Sequence, residues 1–106
     1  MIAARHILVM HAESQRVPPG IDRTRSQARA RAEEALRRVR AGEDFAALVR
    51  EYSDEPGAGD RGGSLGQFRR GMMTRAFEDA AFALDVNAIS DVVETEFGFH
   101  VIQRTE

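Results

Sequence analysis

The chain reads as an α+β domain with a mixed or antiparallel sheet. Apolar strand-like runs stand at both ends, amphipathic helical patterns fill the middle, and a glycine-rich break with a short strand after it interrupts them. With 106 residues, 42% of them hydrophobic, residues 1–106 can build one core but not two, so a single domain is expected.

The elements follow in order. Residues 4 to 11 contain Ile7, Leu8, Val9 and Met10 in an unbroken apolar run, the pattern of a central strand covered on both faces. Glu13 to Asp22 includes Pro18-Pro19-Gly20 and has no period, so it is a loop. From Arg25 to Ala41, Ala28, Ala32, Ala35, Leu36 and Val39 recur at helical spacing among arginines and glutamates, and Gly42 is placed to stop the helix. Asp44 can cap a second helix whose Phe45, Leu48, Val49 and Tyr52 share a face, ending near Ser53. Asp54 to Gly63 is expected to be a loop, and Leu65-Gly66-Gln67-Phe68 a short strand. Thr74 is a candidate N-cap for a third helix with Phe77, Ala81 and Leu84 on one side. Ala88 to Thr95 and Phe97 to Arg104 then read as two strands around the Glu96-Phe97-Gly98 turn.

Bulk properties remove several function classes. The formal charge is −2 and all fifteen basic residues are arginine, so no long-range field favours nucleic acid or an anionic membrane. The arginine-rich helix also carries Glu33 and Glu34 and reads as a solvated face. No apolar run approaches the length of a membrane span, and Met1-Ile2-Ala3-Ala4-Arg5-His6 lacks the layout of a secretion signal. With no cysteine, disulfides, thiolate nucleophiles and zinc–thiolate sites are excluded.

His6 and His100 are the first candidates for chemistry. Each alone would pass for a histidine satisfied within a strand. Strands from opposite ends of a chain can pair, however, and would set both imidazoles on the floor of one pocket. Leu8 and Ile102 lie on the same strand faces as these histidines, so both rings should be partly desolvated and neutral. No metal is expected, because no third ligand stands at a known spacing and His11 falls on the opposite face from His6. Gly62, Gly63 and Gly66 lack the lysine of a phosphate-binding loop, and Ser53, Ser64 and Ser90 sit in no nucleophile elbow. Leu65, Met73, Phe77 and Phe97 are candidates either for core or for a proline-sized pocket, which needs a soft thioether and an aromatic ring.

Taken together, Arg5-His6-Ile7-Leu8-Val9, Gly42-Glu43-Asp44-Phe45-Ala46-Ala47-Leu48, Tyr52-Ser53-Asp54, Gly62-Gly63-Ser64-Leu65-Gly66-Gln67-Phe68, Phe77-Glu78-Asp79-Ala80-Ala81-Phe82-Ala83-Leu84 and Phe97-Gly98-Phe99-His100-Val101-Ile102 resemble, in this order, the parvulin family of peptidyl-prolyl cis/trans isomerases. The resemblance covers essentially the whole chain. It implies a parvulin-like fold of the FKBP-like superfold, a four-stranded, mostly antiparallel sheet wrapped by three to four helices. It implies rotation about X-Pro bonds in peptides and in unfolded or folding proteins, with a non-catalytic client-binding chaperone module as the alternative. By the same resemblance His6 and His100 match paired histidines and Thr95 a hydroxyl within their network. Leu65, Met73 and Phe77 match the wall of a proline pocket, with Thr74 and Phe97 at its edge. Glu55, the remaining candidate for the catalytic set, stands where many members carry cysteine or aspartate, and Ser64 replaces a usual aspartate. The loop after the first strand carries Met10, Gln15 and Arg16. A lone arginine there cannot form a phosphate clamp, so no strict phospho-dependence is expected. No cofactor, nucleic-acid partner or membrane insertion is implied. The chain is expected to be a monomer, cytoplasmic if complete, and periplasmic or extracytoplasmic if excised from a longer exported chaperone.

Overall fold

The two ends of the chain lie side by side in one sheet. In the computed structural model, which describes residues 1–106, β1 (Ile2–Val9) and β4 (Gly98–Arg104) pair antiparallel, with His6 opposite Ile102 and Leu8 opposite His100. β2 (Ser64–Phe68) flanks β1 and β3 (Val93–Thr95) flanks β4, so the order is β2-β1-β4-β3 with every neighbouring pair antiparallel. The unbroken apolar run of β1 is explained by its central position: both of its faces are covered, and every residue except Arg5 is buried.

One face is closed by helices. α1 (Arg25–Arg40) starts at Thr24, whose hydroxyl accepts from Gln27 N while the Gln27 side chain accepts from Thr24 N, a reciprocal capping box. α2 (Phe45–Tyr52) starts at Asp44, whose carboxylate accepts from Ala47 N at 3.0 Å as its sequence position predicts. The apolar stripes of α1 and α2 pack on Ile7, Val9, Phe99 and Val101, the residues that alternate onto this face. The other face carries Ile2, Ala4, Phe68 and Ile102 against Phe77 and Ala81 of a later helix, Arg75–Phe82.

Three predictions need correction. The segment expected to be loop from Asp54 to Gly63 contains a one-turn helix, α3 (Ala58–Arg61), set between Gly57 and Gly62, both in the left-handed conformation. The helix beginning at Arg75 is therefore the fourth, α4. The strand expected over Ala88 to Thr95 shrinks to Val93–Thr95, with only an isolated bridge between Ile89 and Gln103 before it. Ser90 explains part of that loss, because its hydroxyl accepts from Ile102 N at 3.0 Å and so replaces a ladder carbonyl. The first strand also begins two residues earlier and ends two residues sooner than the apolar run suggested.

The glycine-rich turn is pressed onto β1. Gly63 has φ +79°, its carbonyl accepts from His6 N at 3.0 Å, and a Cβ there would collide with the His6 carbonyl oxygen and lie 2.8 Å from Val49 Cγ2. No helix is long and apolar enough to cross a membrane.

Candidate active site

Alternation along β1 and β4 sorts their side chains between the two faces. Ile7, Val9, Phe99 and Val101 enter the helix-covered core, while His6, Leu8 and His100 line a hollow on the other side. His6 and His100 are 3% and 4% exposed, and their Nδ1 atoms lie 3.0 Å apart with the rings stacked 17° from parallel. The expected juxtaposition of the two imidazoles is what the strand register delivers.

The chain of polar contacts continues in both directions. His100 Nε2 lies 2.7 Å from Thr95 Oγ1, which also accepts from Phe97 N at 3.2 Å. Beyond His6, Glu55 Oε2 lies 3.5 Å from Nε2, outside good hydrogen-bond distance, and that nitrogen has no other partner. Arg61 donates to the other Glu55 oxygen at 2.7 Å. The adjoining His6 imidazole and then the Arg61 guanidinium hold the Glu55 carboxyl below the usual carboxylate range despite partial burial. Burial, and secondarily His6, push His100 down to about 3, so its ring is neutral at neutral pH.

These contacts give the network a direction. The contact between the two Nδ1 atoms uses one proton, supplied by one ring or by the other. If His100 supplies it, Thr95 Oγ–H can donate to His100 Nε2 and His6 turns its Nε2–H toward the Glu55 carboxylate. If His6 supplies it, a bare Nε2 lone pair faces that carboxylate and the Thr95 proton loses its acceptor. Both ends favour the first arrangement.

Phe77 closes the hollow from α4, with its ring edge-on to both imidazoles at centroid distances of 5.5 Å and 5.2 Å, and is 3% exposed. The cavity is about 720 Å³, and all nine residues proposed from the sequence line it or stand in its network: His6, Glu55, Leu65, Met73, Thr74, Phe77, Phe97 and His100 line it, and Thr95 lies behind His100. Thr74 differs from expectation in one respect. It occupies the N-cap position of α4, but its hydroxyl makes no capping bond and is buried without a partner.

Leu8, Met10, Arg16, Pro56, Met72 and Glu96 also line the cavity. Leu8 and Met10 were available from alternation two and four residues beyond His6. Arg16 and Glu96 come together through a loop-to-turn bond, Gln15 N to Glu96 O at 2.9 Å, which no local pattern announces. Glu78 was also missed: it is 5% exposed, and its Oε2 accepts from Gly71, Met72 and Met73 N at 2.7, 3.0 and 3.1 Å.

A mostly apolar hollow over a buried imidazole pair suits a reaction that needs no nucleophile. Ser53 and Ser90 hydroxyls are engaged by Leu8 N and Ile102 N. A second hollow of about 340 Å³, between α1 and residues 91–92, shares no residue with the first, and several of its charges are already paired, Arg29 with Glu33 and Arg40 with Asp91.

The comparisons with known proteins agree with one another. The family model described as a PPIC-type PPIASE domain matches residues 1–106. The chain is 45% identical over 75 residues to foldase protein PrsA 4 of Bacillus cereus, covering 71% of this chain and 27% of that one. It is 49% identical over 82 residues to chaperone SurA of Chromohalobacter salexigens, covering 77% of this chain and 19% of the relative. The structure of peptidyl-prolyl isomerase ESS1 from Candida albicans superposes with a TM-score of 0.93 at 36% identity, over 99% of this chain and 62% of that one. The chain thus spans about a quarter or less of the length of these two curated relatives.

Proposed function

This chain belongs to the parvulin family, the PPIC-type peptidyl-prolyl isomerase domains, and on that premise we propose that its cavity accelerates cis/trans rotation about X-Pro bonds in peptides and unfolded proteins. The observation that carries the proposal is the hollow itself, with Phe77 edge-on to a buried histidine pair whose His100 ring is neutral. Uncatalysed rotation faces a barrier of about 18–20 kcal/mol. In the twisted state the amide loses its resonance, so the carbonyl oxygen becomes less polar and the prolyl nitrogen more basic. A water-excluding wall favours that state over either planar isomer, and about 1.36 kcal/mol of such preference gives tenfold in rate.

In this reading Leu65, Met73 and Phe77 hold the prolyl ring, with Thr74 and Phe97 at its edge. Thr95, His100 and His6 fix the shape and tautomers of the floor. Glu55 acts near the substrate carbonyl or its water and not as a nucleophile, since rotation requires no covalent adduct. Arg16 is the one arginine on the cavity wall, which supports a substrate range without strict phospho-dependence. Relatives named foldase and chaperone support unfolded, proline-containing clients, and favour the location that goes with a longer exported chaperone. A monomer is proposed, with Met1, Met72 and Val86 the exposed large hydrophobic residues.

Two-dimensional exchange NMR on an Ala-Pro peptide tests the proposal. The wild-type protein is expected to accelerate cis/trans exchange, Phe77→Ala and His100→Ala to slow it by about tenfold or more, and Glu55→Ala to retain part of it. Peak shifts without faster exchange would instead identify a client-binding module that uses the same pocket. Complete loss of turnover in a folded, peptide-binding Glu55→Ala would reverse the ranking of roles.

A further inference from the structure

Among the buried groups the proposed reaction leaves unused, Glu78 stands out. It projects from α4 one residue after Phe77 and is 5% exposed, yet no arginine reaches it; all three of its partners are backbone amides of one short loop. That loop, Gly71-Met72-Met73, carries two of the cavity's methionines, and Met72 is 58% exposed at the mouth. Gly71 stands at φ +96°, which turns the backbone so that three successive N–H groups converge on a single carboxylate oxygen. Bonds from neutral donors to an ionised acceptor are among the stronger ones in proteins. The position near the N-terminus of α4, where amide dipoles favour negative charge, adds to them.

From this geometry we infer that Glu78 is a positioning residue of the isomerase: it fastens the Met72–Met73 wall to the helix that bears Phe77, so that thioether and ring face the substrate as one preformed surface. Methionine has three rotatable bonds and does not hold a wall by itself. Phe77 is braced by His6, His100 and Phe68; the facing loop is held by the three short bonds to Glu78, beside the longer Met72 N to Arg69 O and Arg69 N to Met72 Sδ contacts at 3.4 and 3.5 Å and the packing of Met73 on the neighbouring core. A loose wall would follow the planar substrate as readily as the twisted one, and discrimination between them would fall.

The inference rests on the isomerase reading, and the test separates the two. In the full chain, Glu78→Gln keeps the shape and removes the charge, while Glu78→Asp keeps the charge and withdraws the oxygen by one methylene. Exchange NMR on the Ala-Pro peptide at several peptide concentrations is expected to show kcat/KM lowered on the order of tenfold in Glu78→Gln, with weaker binding as the larger part. The Met72 and Met73 methyl resonances should move toward the position of freely rotating side chains. In the wild type, the Gly71, Met72 and Met73 amides should be protected from hydrogen exchange, a reading that needs no variant to fold. Wild-type constants and methyl shifts in either folded variant, or unprotected amides in the wild type, would overturn the role of Glu78. A wild-type protein that fails to accelerate exchange while those amides stay protected would overturn the isomerase reading and leave the brace standing.

Discussion

The two faces of the sheet use the same strands for opposite purposes. On the helix-covered face, thirteen buried hydrophobic residues form one cluster; on the other only six do, and the remaining space is a cavity of about 720 Å³ floored by histidines. Ile7 and Val9 reach a different face from His6 and Leu8 because of the parity of their positions. Because successive strand residues point oppositely, the chain can place rigid packing within one residue of its reactive surface. The first face supplies most of the stability, and the second gives some of it up to keep a hollow open.

The sharpest separation of the two faces comes from a substitution remote from the cavity. Leu48→Ala, on α2, should remove about 2–5 kcal/mol of stability, a large share of the 5–15 kcal/mol typical of a domain, as read by urea unfolding. The kcat/KM per folded molecule should stay within about twofold of wild type. A large loss of activity from this variant would mean that the faces are not independent.

Acid should act through the other face. In the unfolded chain His100 takes up a proton near pH 6.5, whereas the buried ring resists protonation down to about 3. Between those values the unfolded state binds more protons, so stability falls as pH falls through that window. The groups facing His100 are His6 from β1, Thr95 from β3 and Phe77 from α4, with Glu55 beyond His6. Glu55, with its own value lowered, adds in the same direction, its contribution being lost as pH drops through the carboxylate range. The unfolding free energy from urea titrations should decline by a few kcal/mol in total between neutral pH and pH 4, and His100 ring resonances should not titrate near 6.5. Titration there would mean that the floor is wet.

The smallest effect belongs to the surface. Arg40→Ala breaks the pair with Asp91, whose side chains are 51% and 89% exposed, and should change stability by less than about 1 kcal/mol. Activity should not change, because this pair lies outside the cavity lining.

Much of this arrangement was legible in the sequence because it rests on short-range rules. The alanine stripe of α1 follows from spacing and the Asp44 cap from residue type, while the meeting of His6 and His100 was expected from strand pairing and the family resemblance. α3 escaped notice because a single turn between two left-handed glycines has no period to read. β3 was overextended because Ile89, Val92 and Val93 have the β-branched composition of a strand, whereas before Val93 the ladder is reduced to an isolated bridge at Ile89 and the Ser90 hydroxyl stands in for a carbonyl. Glu78 is the instructive omission. In sequence it resembles any solvent-facing glutamate of an amphipathic helix, and only the return of the Gly71–Met73 loop turns it inward.

The histidine pair sits on the two middle strands, where six consecutive residue pairs from Ala4–Arg104 to Val9–Phe99 run without a register break. Heating should therefore fray the lips of the hollow, the stretch around Arg16 and the turn at Phe97, well before it loosens the floor. Imidazole geometry and the global fold would be lost at a common melting point, after the lips of the hollow had already opened.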